Sequence, residues 1–132
     1  MILDTNAYTA LLKDKYGVVS VVQTARDIVL PIPVVAELRF GFVRGSQQIR
    51  NEQKLQLFLL QSNTRTINIS ETTTHIYAEL AALCRSKGRV LSNNDVWIAA
   101  LAIEHDRPLV TYDKDFITLA DRLGGNLLLL KD

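Results

Sequence analysis

The stretch Pro108-Leu109-Val110-Thr111-Tyr112-Asp113-Lys114-Asp115-Phe116 decides how this chain folds. A proline separates the preceding helix from a short apolar run, and that run reads as a strand ending at Tyr112-Asp113. From Phe116 to Arg122 the composition returns to helix, and Gly124-Gly125 turns the chain into a last apolar run, Leu127 to Leu130. The opposite end follows the same pattern. Ile2 to Asp4 is a short strand broken by Thr5-Asn6, and Ala7 to Lys13 then places Tyr8, Leu11 and Leu12 at helical spacing.

Working inward, Val18 to Val22 is rich in β-branched residues, and propensity predicts a strand, with a helix as the alternative where tertiary packing decides. Asp27 to Pro31 carries a second strand, Ile28-Val29-Leu30, which Pro31 stops because it lacks a backbone donor. Pro33 opens a helix over Val34 to Val43, and Gly45 ends it. Ser46 is predicted to cap a long helix reaching about Gln61. Leu55, Phe58 and Leu59 form its apolar stripe, and Leu57 and Leu60 widen that stripe enough to suggest contact on two sides. A third strand fits Thr66 to Ile69, after which Ser70 caps a helix with Ile76, Leu80 and Leu83 on one face and Gly88 at its end. Ser92, Asn93 and Asn94 are cap formers before a helix carrying Ile98, Leu101 and Ala102 up to about His105. Strands alternating with helices imply an α/β fold with a parallel sheet covered on both faces.

At 132 residues the chain fits one domain, spanning 1–132, because a second core would have too few residues to close. Apolar residues make up 48% of it, enough for one substantial core, and no apolar run approaches the roughly 20 residues of a membrane span. The start Met1-Ile2-Leu3-Asp4 lacks the basic and long apolar regions of a secretory signal, so a soluble, cytoplasmic protein is expected. The single cysteine, Cys84, sits among Leu80, Ala81 and Leu83 and is expected to be a buried thiol. A net charge of +1 gives no global nucleic-acid signature, but the charge is unevenly spread. Arg39, Arg44, Arg50 and Lys54 fall together with only Glu52 opposing them, and Arg85, Lys87 and Arg89 form a second basic knot. Solvated helix faces explain most such runs.

In a parallel sheet, strand carboxyl ends and the amino ends of the following helices share one edge, where ligands bind. Asp4 and Asp113 close two strands, Asp95 opens a helix, and Glu37 lies about one turn into another. Each has an ordinary role alone, as a cap, a first-turn acid or a turn residue. Together they repel by roughly 1 kcal/mol per close pair even in water, and by more when partly buried. Such a cluster either holds protons at raised pKa values or takes up a hard cation such as Mg²⁺ or Mn²⁺. Zinc is not indicated, since His75 and His105 lie outside these motifs and read as surface or helix-end residues.

On these residues the chain resembles the PIN-domain nucleases, and within them the VapC-like toxins of toxin-antitoxin pairs. Ile2-Leu3-Asp4-Thr5-Asn6 is similar to the family's opening strand, and Pro33-Val34-Val35-Ala36-Glu37-Leu38-Arg39-Phe40-Gly41 to its glutamate helix. Asn94-Asp95-Val96-Trp97-Ile98-Ala99-Ala100 and Leu109-Val110-Thr111-Tyr112-Asp113-Lys114-Asp115-Phe116 match its third and last motifs. The resemblance implies a three-layer α/β/α sandwich around a parallel sheet of four to five strands, and Mg²⁺-dependent (or Mn²⁺-dependent) endoribonuclease activity. It carries Asp4, Glu37, Asp95 and Asp113 over as catalytic, with Asp4, Asp95, Asp113 and Asp115 as metal ligands. Asp115 has a surface cap as its alternative role. Thr5, Asn6 and Thr111 are candidates for positioning a carboxylate or a water. Arg39, Arg44, Arg85, Lys87 and Arg89 are candidates for holding RNA phosphates. The resemblance further implies a cognate antitoxin and a homodimer, and Val35, Phe42, Leu55, Phe58 and Leu59 offer either a groove for a partner helix or ordinary core.

Two rivals stand beside this reading: a non-catalytic PIN-like RNA-binding module, and a metal-dependent phosphatase-like or receiver domain, which also sets aspartates at strand ends. The presence of all four acids counts against the first. A phosphatase pattern wants an aspartate two residues after the first, where Asn6 stands, and a receiver wants one closing the middle strand, where Thr66 to Ile69 runs into Ser70.

Overall fold

Residues 1–132 are described by a computed structural model. Five parallel strands, β1 (Ile2–Leu3), β2 (Ile28–Pro31), β3 (Thr64–Ile67), β4 (Leu109–Thr111) and β5 (Leu127–Leu129), form one sheet in the order β3-β2-β1-β4-β5. The chain winds outward from β1 through β2 to β3, then returns to lay β4 on the other side of β1. Right-handed crossovers place the helices of these two journeys on opposite faces of the sheet, giving the three-layer α/β/α arrangement. The β1/β4 seam is therefore the topological switch point, where a crevice opens beyond the strand ends. Its register, Ile2 beside Leu109 and Leu3 beside Val110, sets Asp4 next to Thr111.

The helices are α1 (Thr5–Leu12), α2 (Tyr16–Val22), α3 (Ile32–Arg44), α4 (Gln48–Leu59), α5 (Glu71–Ser86), α6 (Asn93–Glu104) and the short α7 (Ala120–Leu123). Strands β1, β2 and β4 are buried at every residue, which explains their unbroken apolar runs. α6 lies deepest, with Val96 and Ile98 to Ala102 all buried, and its small alanines allow close packing against α5. Ser70 caps α5 through a capping box with Thr73. Thr73 also donates to Glu104 near the end of α6, tying the two helices together. Cys84 is buried, as expected, and burial pushes its thiol pKa up. His75 and His105 are exposed. No helix is long and apolar enough to cross a membrane.

Several expectations need correction. Val18 to Val22 is not a strand: it lies in α2, where Gly17 and Val18 donate their N–H groups to the Asp132 carboxylate and the Tyr112 hydroxyl. Packing of α2 on α1 overrides β-branched propensity there. The third strand starts two residues earlier than expected, at Thr64 rather than Thr66, because its register with β2 runs from Ile28 beside Thr64 to Pro31 beside Ile67. Ser46 is not a cap. Gln47 precedes α4 without a side-chain bond, and α4 ends at Leu59 rather than near Gln61. Phe116 to Arg122 is not one α-helix but a 3₁₀ segment, Lys114–Leu119, followed by α7. It begins early because the Asp113 carboxylate accepts the Asp115 N–H. The final strand stops at Leu129, one residue short of Leu130.

Phe116, wholly buried, anchors the 3₁₀ segment to the core directly after the acidic motif. Phe116→Ala is expected to lower unfolding stability by about 3–5 kcal/mol, measured by urea denaturation followed by circular dichroism.

Candidate active site

Asp4 is only 3% exposed, and both of its oxygens are engaged. Oδ1 accepts the Ala7 N–H at 2.9 Å, capping α1, and Oδ2 accepts the hydroxyl of Thr111. Thr111, wholly buried, accepts in turn the Asp113 N–H at 2.9 Å. One hydroxyl thus joins the first and last acidic motifs across the β1/β4 seam. Asp113 Oδ1 accepts the Asp115 N–H at 2.9 Å, while Asp115 itself stands in solvent. Asp95 occupies the first turn of α6, held by the Ser92 hydroxyl accepting its N–H at 3.1 Å. Glu37, half-buried on α3, accepts the hydroxyl of Thr5. Asn6 is exposed and faces a separate shallow cleft beside Lys13 and Tyr112.

The acids feel one another. Burial pushes Asp4 up from its ordinary 3.8 to about 6; the Thr111 and Ala7 bonds oppose this, and the charges of Asp95 and Asp113 add to it. Burial also pushes Asp95 to about 6, opposed by Ser92 and reinforced by Asp113, Glu37 and Asp115. All five carboxylates therefore share one electrostatic neighbourhood at the carboxyl edge of the sheet. No three His, Cys, Asp or Glu side chains are drawn into a ready-made metal cage. The acids stand at Coulombic range rather than ligand-to-ligand contact. By donor chemistry the set fits a hard divalent cation: every group is a carboxylate, and two of them are held in an environment that disfavours their ionised form.

The basic candidates divide. Arg39 is committed to Glu52 through two bonds of 3.0 Å, so the cation expected to meet phosphate braces α3 against α4 instead. Arg44 lies over the Phe40 ring at 5.3 Å on the surface. Lys87 donates to the Thr118 carbonyl at 2.8 Å and lies 3.4 Å from Asp121. Arg85 and Arg89 are exposed. Lys114, between Asp113 and Asp115, is a further exposed cation beside the acids, and its place inside the last motif is the signal the sequence carried for it. Of the apolar groove residues, Val35, Leu55 and Phe58 are core, with Phe42 and Leu59 packed against it. The exposed large apolar side chains of α3 and α4 are Ile32, Phe40, Val43, Ile49 and Leu57.

The sequence pattern of the PIN domain matches residues 1–122. The chain belongs to the PIN-domain family. The curated relative Ribonuclease VapC2 of Rickettsia felis is 37% identical over 78 residues, which is 59% of this chain and 57% of that protein. The match thus spans just over half the length of that relative. Over the whole fold, the PIN domain resembles the VapBC2 structure from Rickettsia felis, solved bound to a promoter DNA fragment. The TM-score is 0.80 at 29% identity, covering 98% of this chain and 96% of that one. The VapBC-1 structure from nontypeable Haemophilus influenzae superposes with a TM-score of 0.78 at 25% identity, covering 99% and 96%.

Raised carboxyl pKa values carry a stability consequence. Between about pH 4 and 6 the folded PIN domain binds more protons at Asp4 and Asp95 than the unfolded chain, so metal-free stability falls as pH rises through that window. Thermal unfolding in EDTA is expected to show a lower midpoint at pH 7 than at pH 5. Asp4→Asn, which keeps the cap but removes the buried charge, is expected to raise the pH 7 midpoint and flatten this dependence.

Proposed function

We propose that this PIN domain is a divalent-metal-dependent endoribonuclease and the toxin of a toxin-antitoxin pair. The observation that carries the reading is the gathering of Asp4, Glu37, Asp95, Asp113 and Asp115 around the β1/β4 switch point, with Asp4 and Asp95 both raised to about 6. It is supported by family membership, in which divalent-metal dependence is general, and by ribonucleases among the relatives.

In this reading Asp4, Asp95 and Asp113 hold the cation, Mg²⁺ or Mn²⁺, with Asp115 as a further ligand and Glu37 facing the same edge. When bound, the cation supplies Lewis-acid polarisation of the scissile phosphodiester and neutralises charge developing on its oxygens. The chain's own contribution is preorganisation. Thr111 fixes the Asp4 carboxylate and the Asp113 backbone with one hydroxyl, and Thr5 fixes Glu37. Ser92 holds the start of α6 and so the height of Asp95 at the sheet edge. Water is the nucleophile, and no side chain need form a covalent intermediate.

The antitoxin partner is proposed from the solved relatives, which are VapBC complexes, and exposed Phe40, Val43 and Leu57 are apolar surface available to a partner. A homodimer and cytoplasmic residence, where RNA substrate is at hand, complete the proposal. The rival phosphatase-like reading lacks the second aspartate two residues after Asp4, where Asn6 stands exposed and faces a separate cleft. The non-catalytic reading leaves the buried Asp4 and the acids around it without a purpose.

Asp4→Asn and Asp95→Asn are each expected to reduce RNA cleavage in Mg²⁺ or Mn²⁺ by about a hundredfold or more while leaving the far-ultraviolet circular dichroism spectrum unchanged. Thr111→Val is expected to cost about ten- to a hundredfold through loss of positioning. Retained cleavage by Asp95→Asn protein would remove that residue from the mechanism.

A further inference from the structure

We infer that the cleft between the turn at residues 87–90 and the 3₁₀ segment Lys114–Leu119 seats the single-stranded RNA next to the scissile phosphodiester, with phosphates on Arg89 and Lys114 and a base against Val90 and Ile117. This rests on the nuclease reading of the acidic edge and adds to it the path of the substrate. The cleft has a volume of about 600 Å³. Asp115 forms part of its wall and donates its N–H to the Asp113 carboxylate, so the cleft lies at the margin of the acid cluster.

Its cations differ in what they are free to do. Lys87 spends its ammonium on the Thr118 carbonyl and Asp121, bracing one wall against the other. Arg89 and Lys114 are exposed and join none of the chain's ion pairs. Two unpaired cations beside a carboxylate cluster suit a ligand that brings its own negative charge. The turn that presents Arg89 is built rather than loose. Gly88 takes a φ of +66°, open to glycine at little cost, and the Arg89 N–H donates to the Cys84 carbonyl at 3.0 Å.

The walls also carry apolar groups that the fold does not use. Val90 is 93% exposed and Ile117 is 53% exposed, within the same cleft as the free cations. Aliphatic surface next to phosphate-binding charge matches a nucleotide, whose backbone is anionic and whose base presents an apolar face. Covering Val90 requires an unstacked base, which a single strand offers and a duplex does not. Aliphatic contact with a base face reads no hydrogen-bond pattern, so this seat supplies affinity rather than sequence choice.

The test uses the intact chain and a fluorescein-labelled single-stranded RNA oligonucleotide, with Ca²⁺ replacing Mg²⁺ and Kd read by fluorescence anisotropy. The double substitution Arg89→Ala/Lys114→Ala is expected to weaken binding about tenfold, and each single change to reduce the slope of log affinity against log salt by about 0.7. Arg89→Gln and Lys114→Gln, which keep side-chain length, should give the same loss. Val90→Ser should weaken binding without altering the slope. Arg26→Ala, at the opposite edge of the sheet just before β2, should change neither. Thiouridine-bearing RNA irradiated on the protein should crosslink to the peptides carrying Val90 or Ile117. If the parent chain cleaves RNA but the double variant keeps the parent's affinity and salt slope, the seat is wrong and the nuclease reading stands. If the parent neither binds nor cleaves RNA with Mg²⁺ or Mn²⁺, both fall together.

Discussion

Everything at the active edge depends on holding like charges together. Asp4 sits almost without solvent at the end of the central strand, next to a strand that ends in Thr111 and leads into Asp113. A carboxylate there loses hydration and faces two further acids, which is why its pKa climbs to about 6. The Thr111 hydroxyl and the Ala7 N–H return part of that lost hydration, and they do so in fixed directions. The fold thus keeps a costly arrangement in place without fully relieving it, and its donor chemistry is that of a site for a hard cation.

The sheet order makes this possible. Because β4 returns to lie beside β1, residues 4 and 111 become neighbours although more than a hundred positions separate them. Burial of β1, β2 and β4 on both faces fixes their register strongly, since a slip of one residue would turn each inward side chain to the other face. The same register that packs Leu3 and Val110 therefore aims the catalytic candidates. Core and site are not separate designs here. Phe116, wholly buried one residue beyond Asp115, ties the last acidic motif to that same core.

Charge on the surface is sorted by what each group has nearby. Arg39 and Lys87 come from basic stretches that suggest phosphate contact, yet each is consumed by an internal partner, Glu52 for one and the Thr118 carbonyl with Asp121 for the other. Arg89 and Lys114 are left free on the walls of a cleft beside the acids. In the proposed nuclease reading the acidic centre repels RNA, and cations along its margin would hold the flanking backbone.

The sequence by itself determined the alternation of strands and helices, the four acidic motifs, the capping of α5 by Ser70 and the family resemblance. The alternation and the cap follow from local rules, apolar periodicity, prolines that stop elements and short side chains that cap helices, while the resemblance rests on the four motifs in order. Only the tertiary structure decided that Val18 to Val22 is helical, that the segment after Asp113 winds as a 3₁₀ turn, and that β3 begins at Thr64. Two of these are settled by partners distant in sequence, Tyr112 and Asp132 for α2 and Ile28 for Thr64, while the 3₁₀ segment starts at the local bond from the Asp115 N–H to Asp113. The sharing of one sheet edge by the acids was legible, but that Asp4 and Asp95 would carry the raised pKa values was not. A pKa depends on burial and on charges brought close in space, and neither quantity exists until the chain has folded.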